Sequence, residues 1–176
     1  HPLRSAEWTE EERRSLRDAQ PITIKPVLYV CNVAEGGLDD DNAMVRAVQE
    51  RAAKEGAGSV VISAQVEAEL SELEPSERNE FLADLGLKEP GLHRLARATY
   101  QLLGLQTYFT AGPKEIRAWT IHAGTRAPQA AGVIHSDFER GFIRAEVYTI
   151  PDLQAAGSEA GLRSAGKLRL EGKEYV

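Results

Sequence analysis

The sequence contains one cysteine, Cys31, and one methionine among its 176 residues, and only 6% of its residues are aromatic. A single cysteine excludes a disulfide framework and any zinc cluster built from several cysteines. The longest purely apolar run has about six residues, far short of the roughly 20 that a membrane-spanning helix needs. No basic segment followed by an apolar stretch marks a secretory signal. We therefore expect a soluble, cytoplasmic protein with no membrane partner.

The composition is otherwise that of a folded globular protein, with an uneven distribution of charge. Apolar residues make up 42% of the chain and charged residues 27%, which argues against intrinsic disorder. Residues 1–104 carry 12 basic and 19 acidic side chains, whereas residues 105–176 carry 9 and 8. A broadly basic surface that coats nucleic acid is therefore excluded, and DNA is not expected as a partner. These numbers are compatible with a local basic surface within residues 105–176.

The first 104 residues follow a pattern typical of α/β folds. Thr9 and Glu12 have the spacing of a capping box, which predicts a short helix ending near Asp18. Continuous apolar runs at 26–31 and 60–62 predict strands buried on both faces, as in a parallel sheet. A helix between these strands would complete a βαβ unit, whose crossover is expected to be right-handed.

Several helices are predicted around these strands. The helix between the strands is capped by Asp40 or Asp41 and runs to about Glu55, where Gly56 ends it. Its apolar face is predicted to contain Met44, Val45 and Val48. Further helices are predicted at 67–73, 76–84 and 90–103, with Pro90 at a first helical position and Gly104 as the end of this half.

The pattern changes after residue 104. Segments 107–110, 116–121 and 142–148 read as strands, the last two with alternating apolar and polar residues. A short helix is predicted at 128–135, between the second and third of these strands. This order of elements predicts an α+β module with a mixed sheet.

The polar segments that follow the two parallel strands are the best candidates for a binding site. Residues 32–37 follow the first strand and residues 63–65 follow the second. In open parallel sheets, ligands bind at the carboxyl ends of the strands. Asn32 offers an amide and Glu35 a carboxylate, a combination that suits a planar heterocycle such as a nucleobase. The alternative is that Asn32 and Ser63 only end the strands and cap helices.

Longer stretches of the sequence resemble one known family. The resemblance covers nearly the whole chain, in order and without large gaps. It rests on KPVLYVCNVAE at 25–35, SAQVEAEL at 63–70, LQTYFTAGPKEIRAWTI at 105–121 and APQAAGVIHSDFERGFIRAEV at 127–147. Together these stretches resemble the Obg-like ATPases of the YchF subfamily, which are P-loop NTPases of the translation-factor class.

This resemblance implies a fold and a division into domains. Residues 1–20 would be the end of a helical insertion, and residues 21–104 the C-terminal part of the nucleotide-binding domain, with its parallel sheet and helices. Residues 105–176 would form a TGS domain, a ubiquitin-like α+β module of the β-grasp type, without its last strand. The expected fold class is therefore a partial α/β P-loop NTPase followed by an α+β TGS domain.

The resemblance also implies a site for the nucleotide base. Ordinary GTPases carry Asn-Lys-x-Asp at the position where this chain has Asn-Val-Ala-Glu at 32–35. The expected base-binding residues are Asn32, Val33, Glu35, Ser63 and Ala64. The expected function is a ribosome-associated switch that binds and hydrolyses ATP, with ATP or GTP as ligand.

The replacement of aspartate by Glu35 has a physical consequence. The GTPase aspartate accepts two hydrogen bonds from guanine, and adenine has neither of those donors. Glu35 is longer by one methylene and should not make the paired contact in the same place. The preference for guanine over adenine that those bonds supplied should therefore fall, by up to roughly 10⁴-fold. Val33 also replaces the lysine whose stem covers the base. We therefore expect adenine to be preferred over guanine, with the Val33 backbone facing the 6-amino group and Asn32 either meeting N7 or holding the loop.

The chain contains no G-x-x-x-x-G-K-[ST] phosphate-binding motif. In the family, that motif and the residues that hold Mg²⁺ lie upstream of the matching segment. The resemblance thus implies ATP and Mg²⁺ as cofactors, with Mg²⁺ held outside this sequence and no catalytic residue within it. We expect this segment alone, read as a fragment, to bind nucleotide poorly and to be inactive as an ATPase.

A basic cluster in the second part provides an alternative function. Arg126, His135, Arg140 and Arg144 fall in and around the short helix and the strand after it. Arginine can bind RNA phosphates or protein carboxylates, and the family's TGS domain is associated with RNA and ribosome binding. The alternative is therefore a non-catalytic module that binds RNA, the ribosome or a protein through its TGS domain. The same residues could also form a solvated face with structural ion pairs.

Overall fold

The computed structural model describes residues 2–38, 42–112 and 114–176, and the chain divides into two compact units, residues 1–104 and 105–176. Among the described residues, no helix has both the length and the apolar character needed to cross a membrane. The described elements of the first unit are α1 (Glu10–Leu16), β1 (Leu28–Asn32), α2 (Ala43–Glu55), β2 (Gly58–Ile62), α3 (Ala64–Glu72), α4 (Pro75–Asp84) and α5 (Gly91–Leu102). Those of the second unit are β3 (Leu105–Ala111), β4 (Ile116–His122), α6 (Ala127–Ile134), α7 (Ser136–Arg140), β5 (Ala145–Val147), α8 (Ile150–Ala156), α9 (Glu159–Ser164) and β6 (Arg169–Glu171).

Helix α1 begins at the predicted capping box. The Thr9 side chain accepts a hydrogen bond from the Glu12 amide, and the Glu12 carboxylate accepts one from the Thr9 amide at 2.8 Å. The amides of Thr9 and Glu12 are therefore satisfied, and the prediction of this helix start is confirmed.

Strands β1 and β2 pair in parallel, as predicted, with Leu28 opposite Gly58 and Asn32 opposite Ile62. The expectation that both strands are buried on both faces is wrong for β1. Its side chains are at most half-buried, and Val30 is 45% exposed. Within the described residues this sheet has only two strands, so β1 has one hydrogen-bonded neighbour.

Helix α2 connects the two strands, and its first turn differs from the prediction. Asn42 is the cap, and its side chain accepts hydrogen bonds from the Met44 and Val45 amides at 3.0 and 3.3 Å. The predicted caps Asp40 and Asp41 lie outside the described residues. Met44 was expected on the apolar face but is 82% exposed.

The buried side of α2 is instead formed by residues three and four positions apart. Val45 and Ala52 are buried and Val48 is half-buried, which is the spacing of one helix face. Met44 is rotated about 100° from Val45 around the axis and so faces water. Gly56 ends the helix in the left-handed conformation, with φ of 64°.

A cluster of leucines and a valine forms much of the described core of the first unit. Val66 and Leu70 of α3 pack with Leu82 of α4, and all three are less than 9% exposed. The partly buried side chains around them are Leu38, Leu73, Phe81, Leu85 and Leu87. Helix α5 packs against both strands and begins at Gly91, with Pro90 as its N-cap rather than in its first turn.

One carboxylate joins α2 to the first strand and to the start of the chain. Glu55 accepts a hydrogen bond from the Tyr29 hydroxyl at 2.8 Å and one from the Arg51 side chain at 2.6 Å. The Arg4 guanidinium lies 3.6 Å from the same carboxylate. These partners, above all Tyr29 and then Arg51, hold the pKa of Glu55 below its ordinary value of 4.5.

The second unit begins with an antiparallel hairpin, β3–β4, which packs against α6. The Tyr108 hydroxyl donates to the Ala130 carbonyl of α6 at 2.8 Å. The Trp119 indole donates to the Thr110 hydroxyl at 2.9 Å, and the Arg117 guanidinium lies 4.1 Å from the centre of its ring. The Tyr108 bond attaches the hairpin to the helix, and the Trp119 contacts join side chains within the hairpin.

The rest of the second unit departs from the prediction. Only residues 145–147 of the predicted strand 142–148 are in a strand, and the described strands form two separate antiparallel pairs instead of a mixed sheet. Helices α7, α8 and α9 were not predicted. Helices α8 and α9 begin at ordinary caps, because the Thr149 side chain accepts from the Asp152 amide and the Ser158 side chain accepts from the Gly161 amide.

Leu162 of α9 is fully buried, whereas Leu170 of β6 is 59% exposed. Replacing Leu162 by alanine should lower the free energy of unfolding by about 2–5 kcal/mol, because it leaves a cavity. Leu170→Ala is the matched control and should cost no more than about 0.5 kcal/mol. Urea denaturation measures both changes. Equal effects of the two variants would mean that α9 does not close the core of this unit.

Stability should also depend on the charge of Glu55. Because folding lowers its pKa, the carboxylate stabilises the fold above its unfolded pKa, and this contribution is lost as the pH falls below that value. The stability difference between the wild type and Glu55→Gln should therefore shrink between about pH 6 and pH 3. Glu50→Gln, an exposed change on the same helix, is the control. A difference that stays constant across this range would contradict the assignment.

Candidate functional site

The carboxyl ends of β1 and β2 lie side by side at one edge of the parallel pair. Asn32, the last residue of β1, is paired with Ile62, the last residue of β2. The segments that follow, 33–37 and 63–65, therefore start from adjacent positions. The structure brings together the two segments in which the sequence predicted a base site.

Two hydrogen bonds join these segments directly. The Asn32 side-chain oxygen Oδ1 accepts from the Ala64 amide at 2.9 Å, and the Val33 amide donates to the Ile62 carbonyl at 2.9 Å. The first bond fixes the orientation of the Asn32 amide, because its oxygen has to face Ala64. The side chain then has its Nδ2 hydrogens to offer a ligand, and the Val33 backbone has its carbonyl.

Ser63 has a capping role in this edge. It is 2% exposed, and its hydroxyl faces the Val66 amide at 3.5 Å, at the upper limit for a hydrogen bond. Its carbonyl accepts from the Glu67 amide at 3.0 Å. The capping alternative stated above therefore describes the Ser63 side chain, and it also describes the Asn32 oxygen, which accepts from the first amide of α3. Ala64 itself is exposed at the edge.

Val33 and Glu35 lie in segment 33–37, which contains a 3₁₀ turn. Glu35 is exposed and begins a single 3₁₀ turn, Glu35–Gly37, that folds back on Val33. Gly37 allows this close approach, since a Cβ there would lie 3.3 Å from the Val33 Cβ. A donor, an acceptor and a carboxylate thus lie within residues 32–35, which is a pattern that can read the edge of a planar ring.

Within the described ranges, no group of three or more His, Cys, Asp or Glu side chains is placed to hold a metal ion. The Mg²⁺ that the resemblance implies is expected to be held outside this sequence. No role in metal binding is assigned to any described residue.

The four residues of the predicted basic cluster are only partly brought together. Arg126 pairs with Glu174 at 2.9 Å. His135 and Arg140 both contact the Asp137 carboxylate, His135 at 3.5 Å. Arg144 lies with Asp137 along one open cleft of about 750 Å³. Carboxylates thus engage Arg126 and Arg140, as the ion-pair alternative describes, whereas His135 Nδ1 accepts a hydrogen bond from the Asp137 amide at 3.2 Å.

That cleft in the second unit was not identified from the sequence. Its lining includes Phe138, which is 55% exposed, and Ile143, which is 79% exposed. Ile143 was predicted to lie in the strand 142–148, because the pattern there alternates, and Phe138 lay between the predicted helix and that strand. The cleft is lined by residues other than those of the predicted base site.

Sequence reasoning also gave no reason to select Glu67. Its carboxylate accepts a hydrogen bond from the Gly91 amide at 2.6 Å, across 24 residues of sequence. Glutamate in the first turn of a helix is common, and its partner on another helix is visible only in three dimensions.

Comparisons with known proteins identify relatives for the whole chain. The family model YchF-GTPase_C, described as "Protein of unknown function (DUF933)", matches residues 105–176. The chain is 52% identical over 99% of its length to "Ribosome-binding ATPase YchF" of Bacillus subtilis. It is 39% identical over 97% of its length to "Obg-like ATPase 1" of Rattus norvegicus. The match covers 48% and 43% of those two proteins, so the chain spans about half the length of the curated relatives.

A solved structure gives the same result. The chain is similar to the Schizosaccharomyces pombe YchF GTPase, with a TM-score of 0.80 and 34% identity. The match covers 100% of this chain and 47% of that chain.

The bond between Asn32 and Ala64 can be tested by stability. Asn32→Ala removes the acceptor and should lower the free energy of unfolding by about 1 kcal/mol, whereas Asn32→Asp keeps an oxygen acceptor and should cost less. Asn79→Ala changes an exposed asparagine of α4 and is the control. Chemical denaturation measures all three. If Asn32→Ala unfolds like the wild type, the side chain does not join the two segments.

Proposed function

This chain belongs to the YchF subfamily of Obg-like ATPases, and we propose that the complete protein binds and hydrolyses ATP as a switch on the ribosome, in the cytoplasm. The names of the relatives from Bacillus subtilis and Rattus norvegicus support the ATPase activity, and the first of them also supports ribosome binding. The part played by residues 1–104 is recognition of the nucleotide base.

The observation that carries this proposal is the joined edge of β1 and β2. Asn32 and Ala64 are held together at 2.9 Å at the carboxyl ends of two parallel strands, where ligands of such sheets bind. The proposed base-binding residues are Asn32, Val33, Glu35, Ser63 and Ala64. Since the Ser63 side chain is buried, its contribution is to shape the loop.

The arrangement favours adenine in our proposal. The Asn32 Nδ2 group donates to the purine N7, which adenine and guanine share, so this contact adds affinity without selection. The Val33 amide already donates to Ile62, and its carbonyl would accept from the 6-amino group of adenine. Guanine presents an oxygen there, so that two acceptors would face each other. The Glu35 side chain is one methylene longer than aspartate, so its carboxylate would not lie where the GTPase aspartate pairs with guanine.

The triphosphate and Mg²⁺ are proposed to be held elsewhere in the complete protein. The sequence has no G-x-x-x-x-G-K-[ST] motif, and no described residue is assigned to the metal. In this proposal, Mg²⁺ neutralises phosphate charge when it is bound, and the residues of this chain bind and orient the base. The segment alone is expected to be inactive.

Residues 105–176 are proposed to be a TGS domain of the β-grasp type that contacts the ribosome. The hairpin β3–β4 packed on α6 is compatible with such a module. The alternative of a non-catalytic RNA- or protein-binding module has less support, because carboxylates engage two of the four basic residues on which it depends, Arg126 and Arg140.

The base site can be tested in the complete protein with the double variant Val33→Lys, Glu35→Asp. This change restores the two residue types that GTPases use against guanine. The ratio of the dissociation constants for GTP and ATP should fall by about tenfold or more, since a buried paired contact to guanine is regained. Calorimetric titration with each nucleotide measures the ratio.

Glu80→Asp, an exposed change on α4, serves as the control and should leave both dissociation constants unchanged. An unchanged ratio in a folded double variant would show that this edge does not read the base.

A further inference from the structure

The start of helix α5 is capped by a side chain from another helix. Pro90, at the N-cap position, provides no capping hydrogen bond. The Gly91 amide donates instead to Oε1 of Glu67, in the first turn of α3, at 2.6 Å. A carboxylate at this place is favoured twice, because it satisfies an amide that the helix leaves free and it faces the positive end of the helix dipole.

Gly91 permits an unusually close approach of three elements. A Cβ at this position would lie 2.9 Å from Oε1 of Glu67 and 3.1 Å from Cγ2 of Ile62. Ile62 is the last residue of β2, and Gly91 itself is buried. Helix α5 therefore touches both the end of the strand and the first turn of α3.

The first turn of α3 also contains residues of the candidate site. The Glu67 amide donates to the Ser63 carbonyl at 3.0 Å, and the Ala64 amide donates to the Asn32 side chain at 2.9 Å. Glu67 lies three residues after Ala64, so its carboxylate and the Ala64 amide move with the same helical turn. Fixing one of them restricts the other.

We propose that Glu67 is a positioning residue for the base-binding edge. It contacts no nucleotide. Its carboxylate attaches the first turn of α3 to α5, so that the Ala64 amide holds Asn32 Oδ1 and leaves Nδ2 directed outward. This role rests on the proposed function, because it presupposes that Asn32 meets a base.

The test separates recognition of the base from recognition of the phosphates. In the complete protein, Glu67→Ala should raise the dissociation constant for ATP about tenfold, the amount expected for one lost hydrogen bond to a charged group. The dissociation constant for inorganic tripolyphosphate, which has no base, should stay within about twofold of the wild type. Calorimetry for ATP and competition against bound ATP for tripolyphosphate supply the two values.

Two variants control for charge and for acceptor geometry. Glu67→Gln keeps an oxygen at the same reach and should restore ATP affinity to within about threefold of the wild type. Glu72→Ala removes the same charge from an exposed position of the same helix and should bind ATP like the wild type. If Glu67→Ala does not fold, Glu67→Asp decides the question. Its carboxylate is one methylene shorter, so ATP affinity should fall while tripolyphosphate affinity does not.

The possible results distinguish this proposal from the proposed function. Weakened ATP binding with unchanged tripolyphosphate binding supports positioning by Glu67. An equal loss for both ligands, or no loss of ATP affinity, overturns it. If the Val33→Lys, Glu35→Asp variant still changes the preference between GTP and ATP, the base site stands and only the role of Glu67 fails. If neither set of variants changes recognition of the nucleotide base, both proposals fail.

Discussion

The hydrogen bond between the Ala64 amide and the Asn32 side chain is the interaction on which the candidate site depends. It can form because β1 and β2 run in parallel and end at paired residues, which places two loops from distant parts of the sequence side by side. An antiparallel pair would have put these loops at opposite ends. The bond also decides which atoms of Asn32 are available, so the backbone topology determines the chemistry that the edge presents.

Carboxylates stabilise the first unit in places where its helices begin or meet. Glu12 accepts a hydrogen bond at the start of α1, and Glu67 accepts one at the start of α5. Glu55, at the end of α2, accepts hydrogen bonds from Tyr29 and Arg51. Some of the acidic side chains of residues 1–104 therefore have hydrogen-bond partners within the fold.

Sequence reasoning was most successful where the signal is local or strictly periodic. The capping box at Thr9 and the parallel strands could be predicted because short-range geometry and continuous apolar runs decide them. The second unit was harder to predict, since helices α7, α8 and α9 are short and depend on single caps such as Ser158. The sequence led to Asn32 and Glu35 through strand ends, but Glu67 and Gly91 are 24 residues apart and no periodicity relates them.

The placement of the two tryptophans has a consequence for spectroscopy. Trp8 belongs to the first unit, where its indole donates to the Leu3 carbonyl, and Trp119 belongs to the second, where it donates to Thr110. The chain contains no other tryptophan. Each unit therefore carries one tryptophan, and replacing either indole by phenylalanine leaves a tryptophan emission signal that reports on the opposite unit alone. The Arg117 guanidinium over the Trp119 ring gives the second fluorophore a distinct electrostatic environment.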